Sequence, residues 1–235
     1  MRDTWTEEEL AALQVRIGET NLVCGIDEVG RGPLAGPVVA CAIIMPHGEK
    51  IDGVRDSKKL SEKKREQLFD VILEHCIAWG IGQSDERVID EINIRQATLL
   101  AMREALLSLK TKEGQCVVPD LVLVDAEHID TDVEQISIVH GDDRIYAISC
   151  ASIIAKVMRD RMMRAYDAQY PEYGFAAHKG YGTKAHYAAI RRFGVLPIHR
   201  RSFLHGKDRY EKNNEAHLSL PHVTSASNTD EKDNF

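Results

Sequence analysis

The stretch CGIDEVGRGPLAGPVV sets two adjacent carboxylates, Asp27 and Glu28, inside an apolar segment and follows them with three glycines and two prolines. A carboxylate among apolar neighbours is costly unless positive charge meets it. Strand side chains alternate, so the two acids point to opposite faces unless the chain bends or bulges, and glycines just downstream would allow that. A second acid, Asp125, ends the run LVLV as Asp27 ends VCGI, and Asp142 in HGDDR sits where a strand hands over to a long helix. Acids at the ends of neighbouring strands can converge at one sheet edge. Four carboxylates without a Cys/His cluster suit hard cations, magnesium or manganese, which prefer oxygen ligands. Two such ions about 4 Å apart can activate a water and stabilise the leaving oxygen in phosphodiester cleavage. Taken singly, Glu28, Asp125 and Asp142 read better as caps or surface salt bridges; Asp27, inside an apolar strand, does not.

The segment GRGPLAG reads G-x-G-x-x-x-G, is interrupted by Pro33 and Pro37, and leads into a strand where a dinucleotide loop needs a helix. No Walker lysine motif occurs. The loop reads either as a tight turn or as a backbone that a sugar-phosphate can approach, through its amides and Arg31. In HKGYGTKAHY, His178, Lys179 and Lys184 could meet phosphates while Tyr181 offers a ring to a sugar or base, or packs inward.

Charge divides along the chain. Residues 1–143 carry 15 Lys/Arg against 28 Asp/Glu, and residues 144–210 carry 13 against 4, within a net charge of -7. An acidic part that could hold cations is joined to a basic part that could grip phosphates.

Periodicity predicts a first helix in TWTEEELAALQVRIGE, a hairpin of NLVCGIDEV and PVVACAIIM, and a helix capped by Ser61 with Leu68, Val71, Ile72 and His75 on one face. A third strand, CIAWGIGQ, precedes one or two helices, and DLVLVDA and QISIVH read as strands four and five. A long helix follows from Tyr146 to about Tyr170, with Ile148, Ala151, Ile154, Ala155, Met158 and Met162 inward and Lys156, Arg159, Arg161 and Arg164 on other faces. Thr183 caps a last helix, and LPIHRRSF adds positive charge. The order argues an α/β fold, a mixed sheet covered by helices. The expected divisions are an N-terminal helix (1–20), a catalytic domain (21–170), a C-terminal helical substrate-binding segment (171–210) and a polar, disordered tail (211–235).

With 43% hydrophobic residues the chain can bury a real core, yet its longest apolar run is too short to span a bilayer, and MRDTWTEEEL lacks a signal-peptide layout. The five scattered cysteines form no C-x-x-C pair, so reduced thiols and a cytoplasmic location are expected.

Together these motifs resemble ribonuclease HII, the bacterial type 2 ribonuclease H. GIDEVGRGPLAGPVVA, DSKKLSEKKRE, SCASIIAKVMRD and HKGYGTKAHYAAIRRFGVLPIHRRSF match its successive signature blocks in order, over roughly residues 20 to 204. The resemblance implies a ribonuclease H-like fold with a five-stranded mixed sheet, and cleavage of RNA in RNA–DNA hybrids. It extends to single ribonucleotides in duplex DNA, cut on the 5′ side to leave a 3′-hydroxyl and a 5′-phosphate. It assigns two Mg2+ or Mn2+ ions to Asp27, Glu28, Asp125 and Asp142, and 2′-hydroxyl sensing to Gly30, Arg31 and Gly32. Tyr181 would pack against the neighbouring sugar, and Lys58 and Lys179 would touch phosphates. Ala126, His140 and Cys150 depart from the family's usual residues, and Asp143 competes with Asp142 for the fourth ligand place. A monomer is expected; a sliding-clamp partner is conceivable, although NTDEKDNF lacks paired aromatics.

Overall fold

The computed structural model describes residues 5–48, 50–54 and 57–204; the expected disordered tail, 211–235, lies outside them. Helix α1 (Glu7–Glu19) starts at Thr6, whose hydroxyl and the Glu9 carboxylate close a capping box. Strands β1 (Val23–Val29) and β2 (Val38–Ile44) pair antiparallel across the glycine-proline loop. Helix α2 (Glu62–His75), capped by Ser61, leads to β3 (Ala78–Ser84), which pairs with β2. After α3 (Glu86–Leu107) come β4 (Leu121–Asp125) and β5 (Gln135–Ile138), parallel to each other, with β4 parallel to β1. The sheet order is β3-β2-β1-β4-β5.

Every β2 residue is buried because both sheet faces are covered. On one face α3 packs over Ile26, Ala40, Ala42 and Val124; on the other, α2 and α5 (Tyr146–Gln169) enclose Cys41 and Ile43. A Cβ on Gly25 would lie 2.4 Å from the Ala147 carbonyl carbon, so β1 accepts the start of α5 only with glycine there. That contact fixes where α5, and the single turn α4 (Gly141–Arg144) before it, stand relative to the strand ends.

The segment after β3, read as one or two helices, is one run broken at Asn93, whose φ is 68° and whose side chain accepts from the Arg95 and Gln96 amides, capping the second half. Two expectations need amendment. In α5, Met163 is fully buried in place of Met162, and Arg159 is fully buried although its charge suggested an outward face. On α2, likewise, Phe69 joins Leu68 and Ile72 inside while His75 is exposed. The remaining elements, α6 (Phe175–His178) and α7 (Lys184–Phe193), gather with the end of α5 around Phe175, Tyr173 and Ile190.

Candidate active site

Ile26 of β1 stands opposite Val124 of β4, so one residue on, Asp27 and Asp125 sit side by side where the parallel strands end. Leu121 and Leu123 pack on Ile148 of α5, and alternation puts Asp125 on that same face. Asp27 is 4% exposed; one of its oxygens accepts the Glu28 amide at 2.7 Å. No bulge accommodates Glu28, because β1 pairs regularly with β2 as far as Val29 opposite Val39. Glu28 therefore leaves the strand toward the other face and approaches the site from its rim, with Arg31 Nη1 3.6 Å from Oε1.

The third wall is α4. His140 takes a left-handed conformation (φ 58°), and the Gly141 amide then donates to Asp125 Oδ1 at 2.7 Å. This hydrogen bond fastens the helix start to the end of β4. Asp142 comes to lie buried, its Oδ2 2.9 Å from Lys58 Nζ and its carbonyl accepting from Ser149, whereas Asp143 is exposed.

The electrostatics follow from crowding. Burial holds the Asp27 carboxyl well above the ordinary carboxylate range, and the charges of Glu28, Asp125 and Asp142 push it further, against a hydrogen bond from Ser152. Burial raises Glu28 to about 7, with Arg31 opposing and Asp125 and Glu127 adding to the rise. Asp125 is raised by burial and by Asp142, while the Gly141 amide and Lys58 pull the other way. Asp125 thus acts on both members of the Asp27–Glu28 pair, although their side chains leave opposite faces. Among the described residues no three Asp, Glu, His or Cys side chains already form a metal cage. Gly141 and Lys58 occupy one oxygen each of Asp125 and Asp142, and Glu28 leans to Arg31.

Beside the carboxylates lies the loop 30–37. Arg31 bridges Glu28 and Glu127, at 3.6 and 3.2 Å, and Arg95 holds the other Glu127 oxygen at 3.3 Å. A Cβ on Gly32 would be 3.6 Å from Tyr181 Cε1, so the Tyr181 ring, 44% exposed, stands over Gly32 and faces outward. The Lys179 ammonium is turned in toward the Ala176 carbonyl at 2.6 Å and Glu62 at 3.7 Å. His178 differs from the expectation of a phosphate contact: its Nε2 lies 2.8 Å from the Tyr173 carbonyl and its ring stacks on His186 at 4.4 Å. Lys184, Arg191, Arg192 and Arg201 are exposed.

Glu127, Ser152, Arg159 and Arg200 escape the sequence reading. Glu127 follows Asp125 by two residues, the one signal that could have marked it, while Arg159 and Arg200 look like any surface base.

The family model for ribonuclease HII matches residues 24–205. The chain belongs to the ribonuclease HII family. Ribonuclease HII of Alkaliphilus oremlandii is 52% identical over 187 residues, covering 80% of this chain and 92% of its own. Ribonuclease HII of Coxiella burnetii is 54% identical over 183 residues, covering 77% and 88%. Ribonuclease H2 of Pyrococcus horikoshii superposes with a TM-score of 0.69 at 26% identity, over 81% of this chain and 97% of that one. As a member of that family the chain is a ribonuclease H enzyme, an endoribonuclease for RNA–DNA hybrids, with the mixed five-stranded sheet of a ribonuclease H-like fold. No helix among the described residues is long and apolar enough to cross a membrane.

Proposed function

We propose that the enzyme also cuts duplex DNA on the 5′ side of a single embedded ribonucleotide, leaving a 3′-hydroxyl and a 5′-phosphate, with Asp27, Glu28, Asp125 and Asp142 as the ligands of two Mg2+ or Mn2+ ions. Such a cut would begin ribonucleotide excision, and the activity on hybrids would serve primer removal. The observation that carries the reading is the convergence of Asp27 and Asp125 at adjacent strand ends beside buried Asp142, with the proton affinities of Asp27 and Asp125 raised by burial and by the charges around them. An all-oxygen, all-anionic donor set that strains against its own charge suits hard divalent cations. When bound, two such ions supply the positive charge that favours attack of water on the phosphodiester and departure of the 3′-oxygen.

The chain's own groups divide the rest of the work. Asp27, fixed by the Glu28 amide and Ser152, and Asp125, fixed by the Gly141 amide, offer oxygens in set directions. Lys58, 77% exposed at its side chain, puts an ammonium beside Asp142 where a phosphate would arrive. Gly30, Arg31 and Gly32 present backbone and guanidinium to the 2′-hydroxyl and its phosphate, and Tyr181 presents its ring to the adjoining sugar. Lys179 supports this loop from behind and reaches a phosphate only by leaving Ala176.

The test is end-labelled duplex DNA with one internal ribonucleotide, incubated with Mg2+ or Mn2+ beside an all-DNA duplex, and sized at nucleotide resolution. The expected result is one metal-dependent cut on the 5′ side of the ribonucleotide and an intact control. Cuts in the all-DNA duplex, or none in either, would contradict the reading.

A further inference from the structure

The two largest fully buried side chains in the described structure are arginines, Arg159 and Arg200, and neither has a carboxylate within salt-bridge reach among the described residues. Their guanidinium donors go to backbone carbonyls. Arg200 donates to Gly30 at 2.6 Å, to Arg31 at 2.9 Å, and to Gly36 through two nitrogens at 2.9 and 2.7 Å. Arg159 donates to Pro37 at 2.9 Å, to Ala35 at 3.1 Å and to Lys179 at 3.0 Å. Burial depresses both, Arg159 to about 10 and Arg200 to about 9, and the charge of Arg159 adds to the depression of Arg200. A fold that needed only to fill this space would do so with apolar side chains, since buried charge without a counter-charge is expensive. What the guanidinium fork provides is a planar array of donors that orients several carbonyls at once.

The orientation has a defined consequence. Peptide units are planar and trans here, so each carbonyl drawn inward turns the next residue's amide outward. With the Gly30 and Arg31 carbonyls on Arg200, the amides of Arg31 and Gly32 point away from Arg200, in the loop segment that the Tyr181 ring stands beside at Gly32. Gly30 has φ 98°, and a Cβ there would lie 2.3 Å from Arg159 Nε, so the loop closes over the arginines only with glycine at 30. Through Lys179 the same pair ties the Tyr181 loop to the Gly30–Gly32 loop.

We propose that Arg159 and Arg200 are positioning residues for ribonucleotide recognition: they fix, before substrate arrives, the outward amides of Arg31 and Gly32 that meet the 2′-hydroxyl and its phosphate. This rests on the assignment of that loop to ribonucleotide sensing made above. The arginines touch no substrate. They act by preorganising the loop and by placing two buried positive charges behind it.

The test is the dissociation constant for a duplex with one ribonucleotide against that for the all-DNA duplex, in calcium to block turnover, for wild type, Arg159→Lys and Arg200→Lys. A lysine keeps a basic side chain of similar length and loses the fork. Each variant is expected to lose about tenfold of its preference for the ribonucleotide, the size of one charge-assisted hydrogen bond, while its affinity for all-DNA duplex holds within about twofold. Free guanidinium is expected to restore the preference in Arg159→Ala. Folded variants with an unchanged preference would overturn the proposal. If the variants do not fold, amide dynamics of substrate-free wild type decide it: Arg31 and Gly32 amides as ordered as those of β1 are expected, and nanosecond mobility that quenches only on substrate binding would overturn it. A wild type without any ribonucleotide preference would instead remove the recognition assignment beneath.

Discussion

At the scale of single residues, the oddity of an acid in an apolar strand resolves into a site that stores electrostatic strain. Asp27, Glu28 and Asp125 all hold their protons above the ordinary carboxylate range. For Glu28 the unfolded chain releases its proton near 4.5 and the folded chain near 7, so the native state binds more protons in that window and loses stability as pH rises through it. Burial lowers His186 to about 4 and His199 to about 3, an opposing trend in acid, so the clean readout is the cation-induced shift in melting temperature. That shift with millimolar Mn2+ should be small at pH 5 and grow to several degrees by pH 8; a shift that shrinks with pH would contradict the assignment. Without metal, Asp27→Asn should melt a few degrees higher than wild type at pH 8, because the most strained charge is gone. Asp27 was legible because charge in an apolar run is a strong local signal, whereas Asp142, in HGDDR, entered through the motif resemblance. Glu127, buried against Arg31 and Arg95, was not, because its burial depends on Ala126 turning the chain at φ 51° after β4, which no pattern announces.

At the scale of elements, the strands and helices followed their periodicities and caps: Ser61 and Thr183 each cap the helix they were read to start, and Thr6 caps α1. What periodicity cannot supply is partner choice. That β1 lies between β2 and β4, and so brings Asp27 beside Asp125, is a property of the assembled sheet. So is the contact of Gly25 with α5. Gly25→Ala would press a Cβ into the Ala147 backbone and should cost about 2 kcal/mol or more, with α5 and Asp142 displaced from the strand ends. The check is chemical denaturation together with kcat. A variant as stable and active as wild type would show that α5 is not seated by this contact. Arg159 and Arg200 belong to the same lesson: a basic residue in an amphipathic helix or an arginine-rich run reads as solvated, and only the fold reveals the carbonyl cage that takes it in.

At the scale of the molecule, the charge division of the chain becomes a division of surface. The acids gather at the ends of β1 and β4, while exposed Lys184, Arg191, Arg192 and Arg201 lie on the C-terminal segment, where the Arg201 amide and Ser202 dock on Asp90 of α3. Duplex affinity should therefore fall with salt, with a log–log slope of about -3.6 if these four bases meet phosphates, and Lys184→Ala/Arg191→Ala should flatten it by about 2. An unchanged slope would move the phosphate track elsewhere. The most direct test of the whole reading is the single-turnover rate of cleavage at a lone ribonucleotide in duplex DNA, for wild type and Asp27→Asn in the same Mg2+ buffer, with melting curves on both. Carboxylates that hold the catalytic cations require Asp27→Asn to stay folded and bound to the duplex while its rate falls about a thousandfold or more. A folded Asp27→Asn enzyme that cuts at the wild-type rate would contradict it.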